Sequence, residues 1–345
     1  MVMNSEINVL DEQTEKECVG AIFKDVLKYA PSKLCGTVGN ALIVPVYTTI
    51  LSTEQYGLYS LSIALLSFLC IIFSDWIGLS GLRFFRQNQL MENMPKYLTT
   101  LVTMLSFNLV LMFCLALLFR DNLCSFFHIP VKYLVAIILL IIPVAIRALL
   151  FQLLRAQLKS VAFTFSTILN QIMTICLSVI FVKVCHMGAI AMLLGMAVSI
   201  TITDIILLFQ SNILKFFKPQ KIEWTFILPI IKYGIPIAAT SLATWIINQS
   251  NKIIMNNING FSDVGIVGVA YGLTLPLLMT IFATITVAAI PRIYNLYEEK
   301  YDVTPVISKF VGYYMLIAIP LVLTMALFAL DYVHVFSSNQ NFYIA

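Results

Sequence analysis

Three ionisable side chains lie inside long apolar stretches of this chain: Asp75, Arg147 and Asp204. A charge in the hydrocarbon layer of a membrane is costly, so each one is a candidate for function. The guanidinium of Arg147 could take a phosphate in a bidentate fork, or it could extend toward the membrane interface. Either aspartate could bind a coupling proton or sodium ion. Alternatively, Asp75 could pair with Arg83, and Asp204 could support helix packing.

Polar side chains also recur at helical spacing within apolar stretches. One predicted helix carries them three to four residues apart, and hence on one face: Thr164, Thr167, Gln171, Thr174 and Ser178. Two other helices carry looser polar stripes: Lys33, Thr37, Asn40 and Thr48 in one, and Thr240, Thr244 and Asn248 in the other. Such a face lines water or bonds to a neighbouring helix, and packing is the commoner outcome.

The composition of the chain indicates a membrane protein. Of 345 residues, 60% are hydrophobic and 11% charged, against roughly 25% charged in a soluble domain. Stretches such as "LVTMLSFNLVLMFCLALLF" approach the ~20 apolar residues that span a bilayer. We therefore predict an all-α polytopic membrane protein. Its nine spans cover about residues 34–51, 58–80, 98–119, 133–154, 161–182, 188–209, 226–250, 264–290 and 310–330.

Cysteine and histidine give no sign of a metal or catalytic centre. The seven cysteines are scattered without paired spacing. The three histidines, His128, His186 and His334, are far apart in the sequence. We therefore expect no catalytic residues, no metal and no cofactor.

Lysine and arginine set the predicted orientation. A cytoplasmic N-terminus puts sixteen of them on the cytoplasmic side of the nine spans and leaves only Arg120, Lys132, Lys183 and Lys252 on the other. This bias satisfies the positive-inside rule. The acidic and polar first twenty residues do not resemble a cleavable signal, so we expect the N-terminus to be retained in the cytoplasm.

The chain contains an internal repeat. The stretch "LKYAPSKLCGTVGN" is echoed by "IKYGIPIAATSLAT" just over two hundred residues later. With a few residues of slippage, the match continues, so that Gly57 falls opposite Gly265 and Arg83 opposite Arg292. The offset corresponds to six spans, so the copies have the same orientation. Two six-helix lobes would make twelve helices, and we expect this chain to contain nine of them, with the second lobe cut short.

The stretch "KYAPSKLCGTVGNALIVPVYTTILSTEQYGLYSLSIALLSF" resembles the opening of the polysaccharide-export branch of the multidrug/oligosaccharidyl-lipid/polysaccharide exporter superfamily, which includes bacterial O-antigen flippases. The stretch that starts at Ile231 is similar to the seventh helix of that family. The resemblance implies a two-lobe exporter with a central cavity between the lobes. We expect a cytoplasmic segment (1–25), an N-lobe (26–210), a basic inter-lobe loop (211–225) and a partial C-lobe (226–345).

The resemblance also implies a function. Such a protein moves undecaprenyl-pyrophosphate-linked oligosaccharide from the cytoplasmic to the periplasmic leaflet of the bacterial inner membrane. Its partners would be that substrate and membrane lipids, together with a polysaccharide polymerase and a chain-length regulator, but no nucleic acid. Candidates for the pyrophosphate site or cavity are Arg147, Arg83, Lys33, Asn40, Gln171, Asn248 and Arg292, and those for ion coupling are Asp75 and Asp204.

Two alternatives stay open at this point. The first is a multidrug or small-solute exporter of the same superfamily, although the basic cytoplasmic rim suits an anionic substrate better. The second is a membrane enzyme of polysaccharide assembly, such as a polymerase or an acyltransferase. A polymerase would be expected to have a large periplasmic loop, and an acyltransferase a histidine or an acid pair at a membrane face. The sequence shows neither, so we expect no enzyme.

Overall fold

A computed structural model describes Gly20 and residues 46–185, 188–211, 223–299 and 301–327. These residues form helices joined by short turns. The predicted first span, the inter-lobe loop and the chain after residue 327 lie largely outside the described residues, as do the two site candidates Lys33 and Asn40.

Eleven α-helices follow one another in the described ranges, and the first two are separated by one π-helical turn, Ile71–Asp75. They are α1 Thr53–Cys70, α2 Trp76–Arg83, α3 Phe85–Leu90, α4 Met94–Leu118, α5 Arg120–Phe127, α6 Val131–Ala156, α7 Ser160–Cys185, α8 Ala189–Ser211, α9 Trp224–Asn259, α10 Phe261–Glu298 and α11 Thr304–Leu327. Following the predicted division of the chain, we call α1 to α8 the N-lobe and α9 to α11 the C-lobe.

Seven helical segments of the described chain are long and apolar enough to cross a membrane. They coincide with the predicted second to seventh spans and the ninth. Helix α10 occupies the predicted eighth span. The sequence therefore located these seven spans correctly, and the chain is a multi-pass membrane protein.

Local sequence explains where several helices begin and end. The Ser52 hydroxyl accepts a hydrogen bond from the Gln55 backbone N–H at 3.2 Å and so caps α1. Pro95 occupies the first turn of α4, where its missing N–H costs nothing. Gly260 has φ +88 and separates the long helices α9 and α10, because glycine adopts such angles without a steric penalty.

The N-lobe has a continuous apolar core. Helix α8 packs against α6 and α7, while α1 and α2 pack against α6. Leu61, Leu65, Ile137 and Ile141 are fully or almost fully buried there. Outward-facing side chains of α4 and α9, such as Phe107 and Ile247, are instead exposed, as expected of helices that face lipid.

The π-helical turn interrupts the second span near its middle. Such turns leave backbone groups out of the regular ladder and are frequent at functional sites. Here the Asn108 amide of α4 donates to the Phe73 carbonyl at 3.2 Å, and the Trp76 indole donates to the Ile72 carbonyl at 2.9 Å. Two carbonyls of the π-helical turn thus accept hydrogen bonds from side chains and are not left without partners.

The two lobes meet through reciprocal contacts between α1 and α10. A Cβ added to Gly57 would collide with the backbone of Phe261, and one added to Gly265 would collide with the backbone of Thr53. Residues 57 and 265 differ by 208, as do 53 and 261, so each contact is the image of the other under the repeat. Reciprocity of this kind is the mark of a twofold interface.

The approximate twofold axis passes beside a third contact. Ser60 and Gly268 are also 208 residues apart, and a Cβ on Gly268 would lie 3.0 Å from the Ser60 hydroxyl. Equivalent residues of two copies touch each other only near the axis that relates them. The structure therefore supports the repeat predicted from Gly57 and Gly265.

We predict that Gly57→Leu destabilises the protein because the side chain has no space against α10. Overpacking typically costs about 1–3 kcal/mol, and here the obstacle is backbone, which cannot move aside. The midpoint of thermal denaturation in detergent should fall by several degrees. Gly312→Leu is the matched control, since nothing lies within 4 Å of its added Cβ. Equal midpoints for the two variants would contradict the close crossing.

Candidate functional site

Arg83, at the end of α2, forms the most elaborate contact between the lobes. Its guanidinium donates to the Glu298 carboxylate at the end of α10. It also lies over three aromatic rings, with Cζ 5.5 Å from the centroid of Phe84, 5.1 Å from Tyr294 and 5.2 Å from Tyr297. Cation–π contacts at such distances stabilise a charge that is partly removed from water.

A hydroxyl pair extends this contact to α9. Tyr233 and Tyr294 share a hydrogen bond of 2.6 Å between their hydroxyls, and the Phe84 and Tyr233 rings meet edge to face with centroids 5.7 Å apart. We call the six residues Arg83, Phe84, Tyr233, Tyr294, Tyr297 and Glu298 the Arg83 cluster. The side chains of the ion pair are only 16% and 20% exposed, so solvent screens it less than it would a surface pair.

Two further ion pairs join the lobes near the end of α2 and the start of α4. Arg86 lies 3.8 Å from Glu299. Lys96 donates to Glu223, just before α9, at 2.7 Å. That hydrogen bond from the Lys96 ammonium holds the pKa of Glu223 below its usual value, so the carboxylate stays ionised at neutral pH. The pair is well exposed and contributes little to stability.

Arg147 lies inside the N-lobe. Its Nε donates to Asp204 Oδ1 on α8 at 2.8 Å, and Nη2 donates to the Ile200 carbonyl at 3.0 Å and to the Thr203 hydroxyl. The two charged side chains are 11% and 6% exposed. Two of the three predicted intramembrane charges are therefore partners of each other, a pairing that was not predicted.

A polar network extends from this pair to α7. Ser199 donates to Asn170 Oδ1 at 3.0 Å, and Thr174 donates to Ser199 at 3.0 Å. Thr203 lies 3.4 Å from the same Asn170 oxygen. Ser178 also faces α8, where it lies against Gly195. Part of the polar face predicted for this helix thus bonds to its neighbour, although Asn170 was not predicted to take part.

The other predicted site residues lie elsewhere. Asp75 ends the π-helical turn and accepts a hydrogen bond from Ser74 at 3.3 Å; the arginine that was its predicted alternative partner pairs with Glu298 instead. Gln171 on α7 and Asn248 on α9 are half-buried, and Arg292 is half-buried on α10.

Arg155 is a contact between the lobes that sequence reasoning missed. It was counted only as one of the basic residues on the cytoplasmic side, and it is 9% exposed. It donates to Gln152 at 2.8 Å, and its Nη2 lies 3.5 Å from the Thr286 carbonyl of α10. An arginine at the end of an apolar helix is ordinarily interfacial, so nothing in the local sequence distinguishes this one.

Two cavities bear on what the molecule could bind. An apolar crevice of about 610 Å³ lies between α4 and α6 and is lined almost wholly by leucine, isoleucine and valine. A second cavity, of about 420 Å³ and with a polar lining, lies between the start of α4 and the start of α9. Within the described ranges, no group of three His, Cys, Asp or Glu side chains could hold a metal ion.

Comparison with known proteins gives a family and a fold. A family model described as polysaccharide biosynthesis protein matches residues 22–297. No curated protein matches the chain. Among solved structures, a mutant of the Vibrio cholerae MATE transporter VcmN aligns with a TM-score of 0.61 at 11% identity, over 96% of this chain and 78% of that one.

Two other solved structures give the same result. A MATE protein in complex with MaD3S aligns with a TM-score of 0.61 at 14% identity, over 96% of this chain and 78% of that one. An outward-facing multidrug resistance MATE family transporter of the MOP superfamily aligns with a TM-score of 0.57 at 15% identity, over 97% of this chain and 79% of that one. At these identities the likeness establishes the fold, which is that of a two-lobe exporter.

Proposed function

Since this chain belongs to the polysaccharide biosynthesis protein family, we propose that it is a flippase for lipid-linked oligosaccharide. It would move an undecaprenyl-pyrophosphate-linked repeat unit, such as an O-antigen unit, between the leaflets of the bacterial inner membrane by alternating access. Family and fold together support a membrane transporter and point away from an enzyme.

The observation that carries this proposal is the Arg83 cluster. Alternating access requires the lobes to separate at one membrane face while they stay together at the other. The ion pair of this cluster joins the lobes through an arginine of one lobe and a carboxylate of the other. A pyrophosphate is a stronger bidentate acceptor for a guanidinium than a carboxylate of lower charge. An arriving pyrophosphate can therefore displace Glu298 from Arg83 and so weaken this contact between the lobes.

We place the Arg83 cluster at the cytoplasmic face, because the basic loops predict a cytoplasmic N-terminus. Substrate made in the cytoplasm would then reach Arg83 first. The polyprenyl tail stays in lipid, and the crevice between α4 and α6 offers it a protein surface that is almost entirely apolar. Of the predicted phosphate-binding candidates, Arg83 is favoured over Arg147, because Arg147 lies inside the N-lobe, where its Nε and Nη2 donate to residues of α8.

Asp204 is the coupling residue that the geometry favours. Its Oδ1 receives the hydrogen bond from Arg147, whereas Oδ2 is buried and has no hydrogen-bond partner in the described part of the chain. A proton could therefore bind Oδ2 while the contact with Arg147 persists. Loss of the carboxylate charge would weaken the ion pair between α6 and α8, and this would link protonation to packing inside the N-lobe.

A multidrug exporter is the second candidate, because one structural relative is a multidrug resistance transporter. The aromatic rings around Arg83 are also an environment in which an organic cation could bind. The two candidates differ in the charge of the substrate. An anionic substrate requires Arg83, whereas a cationic drug would compete with it.

Deletion of the gene and complementation with this chain tests the proposed function. We expect deletion to abolish surface polysaccharide and to accumulate lipid-linked oligosaccharide in the inner membrane, and complementation to reverse both. Growth in the presence of cationic dyes is measured in parallel. Unchanged surface polysaccharide combined with increased dye sensitivity would overturn the flippase in favour of the multidrug exporter.

A further inference from the structure

The polar cavity between the lobes lies directly beside the Arg83 cluster. We call it the amide pocket. Its volume is about 420 Å³, within the ~300–1,000 Å³ of small-molecule sites. Its N-lobe wall includes Phe84, Gln87, Asn93 and Lys96, and its C-lobe wall includes Glu223 and Phe226.

Two amides in this pocket are not used by the fold. Gln87 and Asn93 are half-buried, and among the described residues neither side chain makes a hydrogen bond. Asn93 precedes α4 but does not cap it with its side chain. Each amide offers both donors and an acceptor. Unpaired amides facing a cavity are available to a ligand that also carries donors and acceptors.

The charges in the pocket indicate which kind of ligand it suits. Lys96 and Glu223 neutralise each other at 2.7 Å, so the lining has no net charge, and a phosphate would meet the ionised carboxylate of Glu223. The rings of Phe84 and Phe226 supply flat apolar surface next to the amides. Amides, one carboxylate and aromatic faces together suit a neutral polyhydroxylated molecule, which is the chemistry of a sugar.

Phe84 fixes where the pocket lies relative to the pyrophosphate. Its ring belongs to the Arg83 cluster, 5.5 Å from the guanidinium, and it also lines the amide pocket. In a lipid-linked oligosaccharide the first sugar is bonded directly to the pyrophosphate. A pyrophosphate held by Arg83 would therefore present its first sugar at the mouth of this pocket.

We propose that the amide pocket binds the first sugar of the lipid-linked oligosaccharide through Gln87 and Asn93. This inference rests on the proposed function, and it adds a recognition site for the carbohydrate. Because the pocket walls belong to different lobes, the sugar would contact both lobes when they are together. Binding energy from the sugar would thus favour one arrangement of the lobes, as a ligand does when its affinity for two states differs.

Site-specific photocrosslinking tests the proposal in membranes of the organism that carries the gene. A photoreactive amino acid replaces Gln87 in one variant and Asn93 in a second. The control carries it at Asn122, an exposed polar residue on α5 outside the pocket. Each variant is irradiated in cells that accumulate the lipid-linked oligosaccharide and in cells that lack the transferase for the first sugar. Adducts are identified by mass spectrometry.

We expect glycan-containing adducts at positions 87 and 93, at least tenfold above those at 122, and only in cells that make the glycolipid. The sugar pocket would be overturned if unglycosylated undecaprenyl pyrophosphate gave adducts in the same yield. It would also be overturned if variants that are present in the membrane gave no adduct. If one variant is not inserted, the other makes the same comparison. Failure of complementation by the unmodified chain would instead remove the flippase function, and is scored separately.

Discussion

Arg83→Ala is expected to lower surface polysaccharide about ten- to hundredfold while the protein remains in the membrane. The substitution removes a charge-assisted hydrogen bond of about 1.5–3 kcal/mol and, under the proposed mechanism, the group that receives the pyrophosphate. Surface polysaccharide is measured against protein abundance in the deletion strain. Arg86→Ala is the control, since Arg86 is 37% exposed and 3.8 Å from its partner, and it should have little effect.

A charge exchange separates the two roles of Arg83. Arg83→Glu alone places two carboxylates together and should be at least as damaging as alanine. Combining Arg83→Glu with Glu298→Arg restores an ion pair across the lobes but moves the guanidinium to α10. We expect the lobes to associate again without recovery of export. Full recovery would show that the pair only joins the lobes, and Arg83 would lose its proposed role as pyrophosphate ligand.

Asp204→Ala is expected to cause the largest loss of stability, because it leaves the Arg147 guanidinium buried without its counter-ion. Breaking a buried ion pair from one side costs about 3–5 kcal/mol. The amount of folded protein and its thermal midpoint in detergent should both fall sharply. The double variant Arg147→Met with Asp204→Leu removes both charges and should recover most of the stability, as apolar replacements of buried pairs often do.

The same double variant also tests the coupling proposal. If Asp204 couples transport to protons, the recovered protein should fold but fail to export polysaccharide in the complementation assay. Restored stability together with normal export would contradict coupling through Asp204. A double variant as unstable as Asp204→Ala would contradict the ion pair itself.

The sequence was sufficient to predict what depends on local composition. Apolar stretches located the spans because a membrane helix must be about twenty apolar residues long. The repeat predicted the equivalence of Gly57 and Gly265, because close helix crossings require small residues at matching positions in both copies. The fold class followed from these two observations together with the resemblance to a family of exporters.

Pairings between distant residues could not be predicted in the same way. Arg147 and Asp204 are 57 positions apart, and their meeting depends on how α6 and α8 pack. Arg83 and Glu298 belong to different lobes, so their contact follows from how the lobes associate. Gln87 and Asn93 look like ordinary polar residues of a loop, and only the cavity reveals that their amides are unused. The π-helical turn could not be predicted either, because no residue pattern distinguishes it within an apolar stretch.

The contact of Ser60 with Gly268 has a mechanical consequence. These two residues lie where the lobes touch near their symmetry axis, so a rocking motion that pivots at this contact would leave them nearly still while the ends of the lobes swing. They would act as a pivot, at which the distance between the lobes is set by the Ser60 hydroxyl and by the absence of a side chain at Gly268. A bulkier residue at either position would push the two lobes apart at this contact. The range over which the lobes can move would then be smaller, although the sites that hold the substrate would be unchanged.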